Sequence, residues 1–339
     1  ATFTSFVASS SISSAGGGGF LLACPGKGKN ALYDFFTQTP LRRKAENHLE
    51  FYPVIVDFGD KTQEFHIGLG SAAVPGNIAG LFEVHQRLGR LPMHEVVVPA
   101  VEAAKQGVAL HKQTKYQVDI LEPILTSSAE GRAIYTVDGN VLDLGQKYFM
   151  PRYADTLDYL AASGPREFYE GEIARSVANA CRDRGGHLDL ADFEQYEVKI
   201  RKPLSFSYRS YTIDTNPPPN AGGPLIAFLL KLLEAVSPDP ADYGTARHLN
   251  WLTQGFMKTA QVREDNMVQL LNSAQLGAVL SGGQLLTDLQ AAMHYEMSKS
   301  GNTTHVSVVD KDYNIASVTT SVGEGCGFFI PGTDIMLNN

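Results

Sequence analysis

Gly301-Asn302-Thr303-Thr304-His305-Val306-Ser307-Val308-Val309-Asp310 is the segment on which the reading of the whole chain turns. Two hydroxyl residues stand directly before an apolar-rich run. A second such run, Ile315 to Val322, follows the polar link Lys311-Asp312-Tyr313-Asn314. The pattern predicts a β-hairpin whose first position is a threonine. That threonine carries chemistry only if the chain is cut in front of it. Breaking the Asn302–Thr303 bond gives Thr303 a free α-amine beside its own hydroxyl. A threonine hydroxyl is a poor nucleophile, and an adjacent N-terminal amine is one of the few groups that activates it. The amine titrates at about 7.7–8.0, so much of it is free base near neutral pH. Nucleophile and general base then share one residue. Without a cut, Thr303 and Thr304 are ordinary strand residues, and a Thr-Thr pair by itself does not separate the two.

Composition narrows the remaining possibilities. The 339 residues are 43% hydrophobic and 19% charged, as in a chain that buries a substantial core. Acidic residues outnumber basic ones, 36 to 28, for a formal net charge of -8. No basic surplus exists to neutralise phosphates, so a nucleic-acid partner is not expected. The short cluster Leu41-Arg42-Arg43-Lys44 does not change this. No run of 18 apolar residues is present, so no membrane span is expected. The N-terminus lacks a charged region before an apolar one, so no signal peptide is read there, and the compartment is left open. Cys24, Cys181 and Cys326 are few and far apart; neither a metal-ligand spacing nor a disulfide framework emerges, and no cofactor or metal is expected.

Along the chain, Gly16-Gly17-Gly18-Gly19 precedes a strand-like run, Phe20-Leu21-Leu22-Ala23. Four glycines bring backbone close to a ligand or to another strand, and a close-packed turn is the default. No Lys-Ser/Thr follows, which argues against a phosphate loop. Tyr52–Phe58 and Glu64–Leu69 predict a hairpin around Gly59-Asp60-Lys61. Pro75-Gly76-Asn77 opens a helix with Ile78, Leu81, Phe82, Val84 and Leu88 on its apolar face. A second helix runs from about His94 to Ala104, with Gly107 as its cap. Glu130–Gln146 reads as strand and turn. A helix over about Glu170–Arg184 stops at Gly185-Gly186, with Ile173, Val177 and Ala180 inward, and Leu190–Phe193 starts a helical turn. Two strands are expected within Val198–Asp214, turning near Arg209-Ser210. Helices follow over Leu225–Val236, which is apolar enough to be buried, and over about Thr245–Leu271. Ser281-Gly282-Gly283 and Ser298–Gly301 look like exposed connectors. This order is not a regular βαβ alternation, so antiparallel hairpins with helices packed outside are expected rather than a doubly wound sheet.

Several motifs in order resemble one family, the gamma-glutamyltransferases, among the N-terminal nucleophile hydrolases. They are Gly16-Gly17-Gly18-Gly19-Phe20; Ala72-Ala73-Val74-Pro75-Gly76 with Gly80-Leu81; Phe168-Tyr169-Glu170-Gly171; Pro217-Pro218-Pro219 with Gly222-Gly223; Thr303-Thr304-His305 with Ser307-Val308-Val309-Asp310-Lys311-Asp312; Pro331-Gly332-Thr333; and Leu337-Asn338-Asn339. The resemblance spreads over nearly the whole chain. It implies an α+β fold, a four-layer αββα sandwich of the N-terminal nucleophile hydrolase type, in a single domain over residues 1–339. It also implies cleavage between Asn302 and Thr303. Residues 1–302 then form the large-subunit part and residues 303–339 the start of the small one, paired as a heterodimer. Thr303 becomes the nucleophile that takes an acyl group, gamma-glutamyl or other, from a small amide or peptide and passes it to water or an amine. The alternatives are an acylase on a non-glutamyl substrate and a binding or scaffold homologue that never matures. Ser321 matches a hydroxyl that bonds the threonine's amine and hydroxyl. Thr304 is the structural alternative, one residue along and on the other strand face.

Three departures from the family pattern concern the substrate. Phe36 stands where the family has an arginine that clamps the glutamyl carboxylate. A phenyl ring does not replace a bidentate guanidinium, and an unpaired buried carboxylate costs roughly 3–5 kcal/mol. Arg42 or Arg43 is the alternative clamp, and an acylase for a more apolar acyl group is the alternative activity. Gly323 stands where an asparagine contacts substrate. The family's small subunit continues past the residue matching Asn339 and supplies an acidic residue for the donor amine and a Gly-Gly oxyanion hole, so these residues are expected to be part of a longer protein.

Overall fold

A computed structural model of the chain describes residues 1–45, 48–59, 61–234, 240–265, 272–281, 286–287 and 304–339. Gly18–Cys24 (β1), Ala31–Phe35 (β2), Lys199–Arg201 (β3), Thr304–Val309 (β4) and Ile315–Ser321 (β5) form a five-stranded sheet in the order β4-β5-β1-β2-β3. The predicted hairpin is therefore present, and its second strand lies against β1. Pairing of β4 with β5 is antiparallel, from Thr304 opposite Thr320 to Val309 opposite Ile315. Asp310 closes the connecting turn: its carboxylate accepts the backbone N–H groups of Asp312 and Asn314 and the Asn314 side-chain amide. Those bonds hold the Asp310 carboxyl below its usual range, the Asn314 side chain contributing most.

The glycine run is explained by this sheet. It is the start of a strand rather than a turn. A Cβ on Gly17 would lie 2.1 Å from the Ser321 carbonyl oxygen, on Gly18 2.5 Å from the Thr37 nitrogen, and on Gly19 2.2 Å from the Thr319 carbonyl oxygen. Only residues without side chains let the neighbouring backbones approach so closely. Gly16 extends the contact through a bridge to Leu337.

The chain divides into two units, Ala1–Leu21 with Tyr33–Lys199 and Gly301–Asn339, and Leu22–Leu32 with Ile200–Ser300. The first unit holds nine helices among its described residues: Thr2–Ala8 (α1), Asn77–Leu88 (α2), Met93–Gln106 (α3), Lys112–Leu125 (α4), Ala129–Tyr135 (α5), Pro151–Ser163 (α6), Arg166–Glu170 (α7), Glu172–Arg184 (α8) and Leu190–Glu194 (α9). Their apolar faces share one core, in which Phe6, Ile78, Val97, Ile124, Tyr153, Leu157, Phe168, Val177 and Phe193 are fully buried. The hairpin Tyr52–Asp57 with Thr62–Ile67 forms as expected. The second unit contains the hairpin Leu204–Tyr208 with Tyr211–Thr215 and helices Gly222–Leu233 (α10), Ala246–Asp265 (α11) and Ser273–Leu280 (α12). Its separate core includes Phe228, Leu232, Val262 and Leu276.

Some expectations needed correction. Residues 130–135 are helical: the Ser128 hydroxyl accepts the Gly131 N–H at 3.2 Å and caps α5, while Ile134 and Tyr135 are buried. Leu88 is 49% exposed, because the last turn of α2 outruns the core that Ile78, Leu81 and Phe82 pack against. The helix expected to end at Arg184 is present as α8, but its buried row is Ala174, Val177 and Cys181, with Ile173 and Ala180 flanking it. The end of the long helix expected to Leu271, the Gly282-Gly283 connector and the Ser298–Gly301 connector lie outside the described residues.

Gly76 joins the sheet to α2. Its N–H and that of Asn77 both donate to the Gly17 carbonyl, at 2.8 and 3.0 Å. A methyl group at position 76 would lie 1.9 Å from the Phe35 carbonyl oxygen and 2.2 Å from the Tyr196 hydroxyl. Phe35 is fully buried, so its backbone has nowhere to go. Gly76→Ala is expected to lower stability by about 3 kcal/mol in urea unfolding. Gly277→Ala, where a Cβ meets nothing within 4 Å on an exposed helix face, is expected to change it by no more than about 1 kcal/mol, in the stabilising direction.

Candidate functional site

Alternation along the strands sorts the side chains at the C-terminal hairpin onto two faces. On β5, Val318 and Thr320 are buried, while Ser317, Thr319 and Ser321 are half-buried. The inner face is polar at its end. Thr320 Oγ1 and Ser13 Oγ are 3.0 Å apart, and a Cβ on Gly19 would touch the Thr320 methyl and the Phe35 ring. Thr304, opposite Thr320, turns its hydroxyl inward too. That oxygen is buried with no hydrogen-bond partner among the described residues. The Thr304 hydroxyl thus lies on the face away from His305, Ser317 and Thr319. Thr303 and Asn302, the expected nucleophile and cleavage position, lie outside the described residues.

The outer face presents a row of polar groups. His305 Nδ1 lies 2.7 Å from Thr319 Oγ1, and its Nε2 lies 2.8 Å from Ser307 Oγ and 3.2 Å from Ser317 Oγ. Ser307 and Ser317 are themselves 3.1 Å apart. Ser321 is the next outer-face residue of β5 after Thr319. Its Oγ accepts the Gly323 N–H at 3.0 Å. Two residues expected at the site, Ser321 and Gly323, are therefore joined directly. Gly323 has φ of +65°, and a Cβ there would lie 2.4 Å from Asn339 Oδ1. That oxygen accepts the Glu324 N–H at 3.1 Å, so Asn339 folds back over the turn after β5. Burial raises the Glu324 carboxyl above its usual range.

Behind the sheet, distant motifs meet. Asn338 is buried. Its Oδ1 accepts the Ala73 N–H at 3.0 Å, and its Nδ2 donates to the Gly16 and Ala73 carbonyls at 2.8 and 2.9 Å. Asn77, also buried, donates through Nδ2 to the Ser14 carbonyl at 2.7 Å. These bonds fix the start of β1 beside β5. The sequence singled out these segments by resemblance alone; Ser13, Ser14 and the His305 network carried no local signal of their own.

Phe36 directly follows β2, stacks on Phe20 and is 51% exposed. Arg42 is exposed, on a segment whose Leu41 N–H is held by the Asp192 carboxylate at 2.6 Å and whose Lys44 N–H meets His187 Nδ1 at 3.1 Å. Of the cysteines, Cys181 and Cys326 are buried, and burial pushes their thiols up to about 11 and about 12, away from reactivity. Among the described residues no group of three or more His, Cys, Asp or Glu is arranged to hold a metal, and no helix is long and apolar enough to cross a membrane.

Comparison with known proteins places these features. The gamma-glutamyltranspeptidase family model matches residues 1–339. Glutathione hydrolase 2 of Arabidopsis thaliana is 25% identical over 351 residues, covering 98% of this chain. An acylase ACY 1 proenzyme of Pseudomonas sp. strain SE83 is 27% identical over 340 residues, covering 95% of it. The chain spans little more than half of the length of such relatives, 59% of the first and 60% of the second. The crystal structure of Helicobacter pylori gamma-glutamyltranspeptidase superposes with a TM-score of 0.68 at 22% identity, over 84% of this chain and 83% of that one. The fold is accordingly α+β, of the N-terminal nucleophile hydrolase type, and among the described residues its sheets are one of five strands and five of two. The family model spans the whole chain, and the chain belongs to the gamma-glutamyltranspeptidase family.

Proposed function

We propose that this chain is the processed core of an N-terminal-threonine amidohydrolase or acyltransferase. The observation that carries the reading is the register of the C-terminal hairpin. Thr304 pairs with Thr320, and their sequence neighbours Thr303 and Ser321 are the two residues to which the chemistry is assigned. Family membership and the names of relatives, a glutathione hydrolase and an acylase proenzyme, support amide chemistry of this type.

Maturation begins when the Thr303 hydroxyl attacks the Asn302 carbonyl carbon. The C–N bond breaks, an ester forms, and the freed α-amine takes up a proton. Water then cleaves the ester, leaving the Asn302 carboxylate and an unblocked Thr303. Residues 1–302 and 303–339 stay together, because β5 from the second piece lies against β1 from the first and Leu337 bridges Gly16. In turnover the α-amine draws the proton from the Thr303 hydroxyl as its oxygen attacks the substrate amide. The amine hands that proton to the leaving nitrogen, and an acyl ester remains. Water or an acceptor amine then takes the acyl group and restores the hydroxyl. Ser321, tied to the Gly323 N–H, holds the threonine amine and hydroxyl in line.

Ser321→Ala removes a hydrogen bond to a group that changes charge, worth about 1.5–3 kcal/mol. Self-cleavage of the full-length protein is expected to slow by roughly 10- to 100-fold, followed on a denaturing gel over time. A cleavage rate equal to wild type would remove Ser321 from the site.

A further inference from the structure

The outer sheet face carries an aromatic pair that the threonine chemistry does not use. Phe20 on β1 and Phe36 after β2 are stacked, with ring centroids 5.4 Å apart and planes at 19°. Phe35 is fully buried, and Phe36 beside it points the other way and keeps half its surface exposed. Its backbone is held at both ends. The Phe36 N–H donates to Asp34 Oδ1 at 3.2 Å, and the Tyr196 hydroxyl donates to the Phe36 carbonyl at 2.9 Å. Tyr196 in turn stacks on Tyr169, with centroids 5.4 Å apart. Two residues on, Gln38 and Val74 exchange backbone hydrogen bonds at 3.1 and 2.8 Å. An open phenyl face on so fixed a backbone is preorganised for binding, since little ordering remains to be done.

Its position is defined by the glycines. The Gly17 Cα faces the Ser321 carbonyl, and the Gly18 Cα faces the Phe36–Thr37 peptide. The β1 segment therefore lies between Ser321 and Phe36, and two strand spacings, about 10 Å in all, separate them. Both side chains are on the outer face. What the pair presents outward is an apolar ring face, which packs against an apolar acyl group and offers a carboxylate no hydrogen-bond donor.

The geometry points to the Phe20–Phe36 pair as the seat of the substrate's acyl group, with an aromatic or aliphatic acyl group as its occupant rather than one ending in a carboxylate. This inference rests on the threonine amidohydrolase reading above and names the substrate class for that site. Phe36 is then a specificity-determining residue: it touches the acyl group and takes no part in proton transfer.

The test uses the full-length protein with phenylacetyl, hexanoyl and gamma-glutamyl p-nitroanilides. The two apolar anilides are expected to show at least about tenfold higher kcat/KM than the gamma-glutamyl one. Phe36→Ala is expected to raise KM for phenylacetyl anilide about tenfold with kcat within about twofold, and Phe36→Tyr to restore KM. Preference for the gamma-glutamyl anilide, or an unchanged KM in Phe36→Ala, overturns the inference. Calorimetry with phenylacetate and with glutamate separates the two layers. If no anilide is turned over but phenylacetate binds, and Phe36→Ala weakens it about tenfold, the platform stands and the threonine chemistry fails. If neither acid binds and no anilide reacts, both fail.

Discussion

Thr303→Ala in the full-length protein is expected to run as one band on a denaturing gel and to lose amide turnover by about 10³-fold or more. The size of the effect follows from the economy of the site. Hydroxyl nucleophile and amine base belong to one residue, so one substitution removes the nucleophile and, by blocking cleavage, also keeps the amine locked in a peptide bond. Thr304→Ala is the matched contrast. Its hydroxyl is buried on the inner face with no partner among the described residues, so its loss strands no other group. Cleavage is expected to proceed within about tenfold of wild type, with stability altered by less than about 1 kcal/mol. Thr303→Ser keeps hydroxyl and amine together and is expected to cleave. Should Thr304→Ala abolish cleavage while Thr303→Ala permits it, the assignment of the two threonines is reversed.

The largest purely structural effect is expected at Asn338. This side chain is buried and satisfies the Ala73 N–H, the Ala73 carbonyl and, with the Asn338 backbone N–H, the Gly16 carbonyl. Asn338→Ala leaves two Ala73 backbone groups without these partners in a region where water cannot easily replace them. Each buried group left unpaired costs about 1–3 kcal/mol, so a loss of about 4 kcal/mol in urea unfolding is expected. Asn338→Asp keeps the acceptor but loses the donors and buries a charge, and a similar loss is expected. Asn339→Ala, an exposed neighbour whose side chain accepts the Glu324 N–H, is expected to cost less than about 1 kcal/mol. Equal destabilisation at 338 and 339 would contradict the account of how β1 is fixed beside β5.

Much of this architecture is legible in the residues because local rules and global packing agree. The C-terminal hairpin shows itself through β-formers broken by a polar turn, and α2 and α3 through apolar periodicity with a proline-glycine start and Gly107 at the end. Where local signals are weak the reading slips. The serine cap of α5 is separated from the buried Ile134 and Tyr135 by Ala129-Glu130-Gly131-Arg132-Ala133, with a glycine in the middle, so the segment looks like a turn. The need for glycine at positions 16, 17 and 19 is set by β5 and by residues 336–337, some three hundred residues away, and at position 18 by the Phe36–Thr37 peptide, and no local pattern states which backbone approaches. The same holds for the site. Thr303, Ser321 and Phe36 are found by resemblance, but the inward turn of Thr304, the tie between Ser321 and Gly323, and the pairing of Phe36 with Phe20 depend on strand alternation and register that only the folded sheet supplies.

The measurement that bears most directly on the central claim is the intact mass of the full-length wild-type protein after incubation, with the N-terminal sequence of any smaller fragment. Two polypeptides are expected, the smaller beginning Thr-Thr-His at Thr303, and a single polypeptide for Thr303→Ala. A wild-type chain that stays whole, or a fragment that begins at any other residue, would contradict that claim.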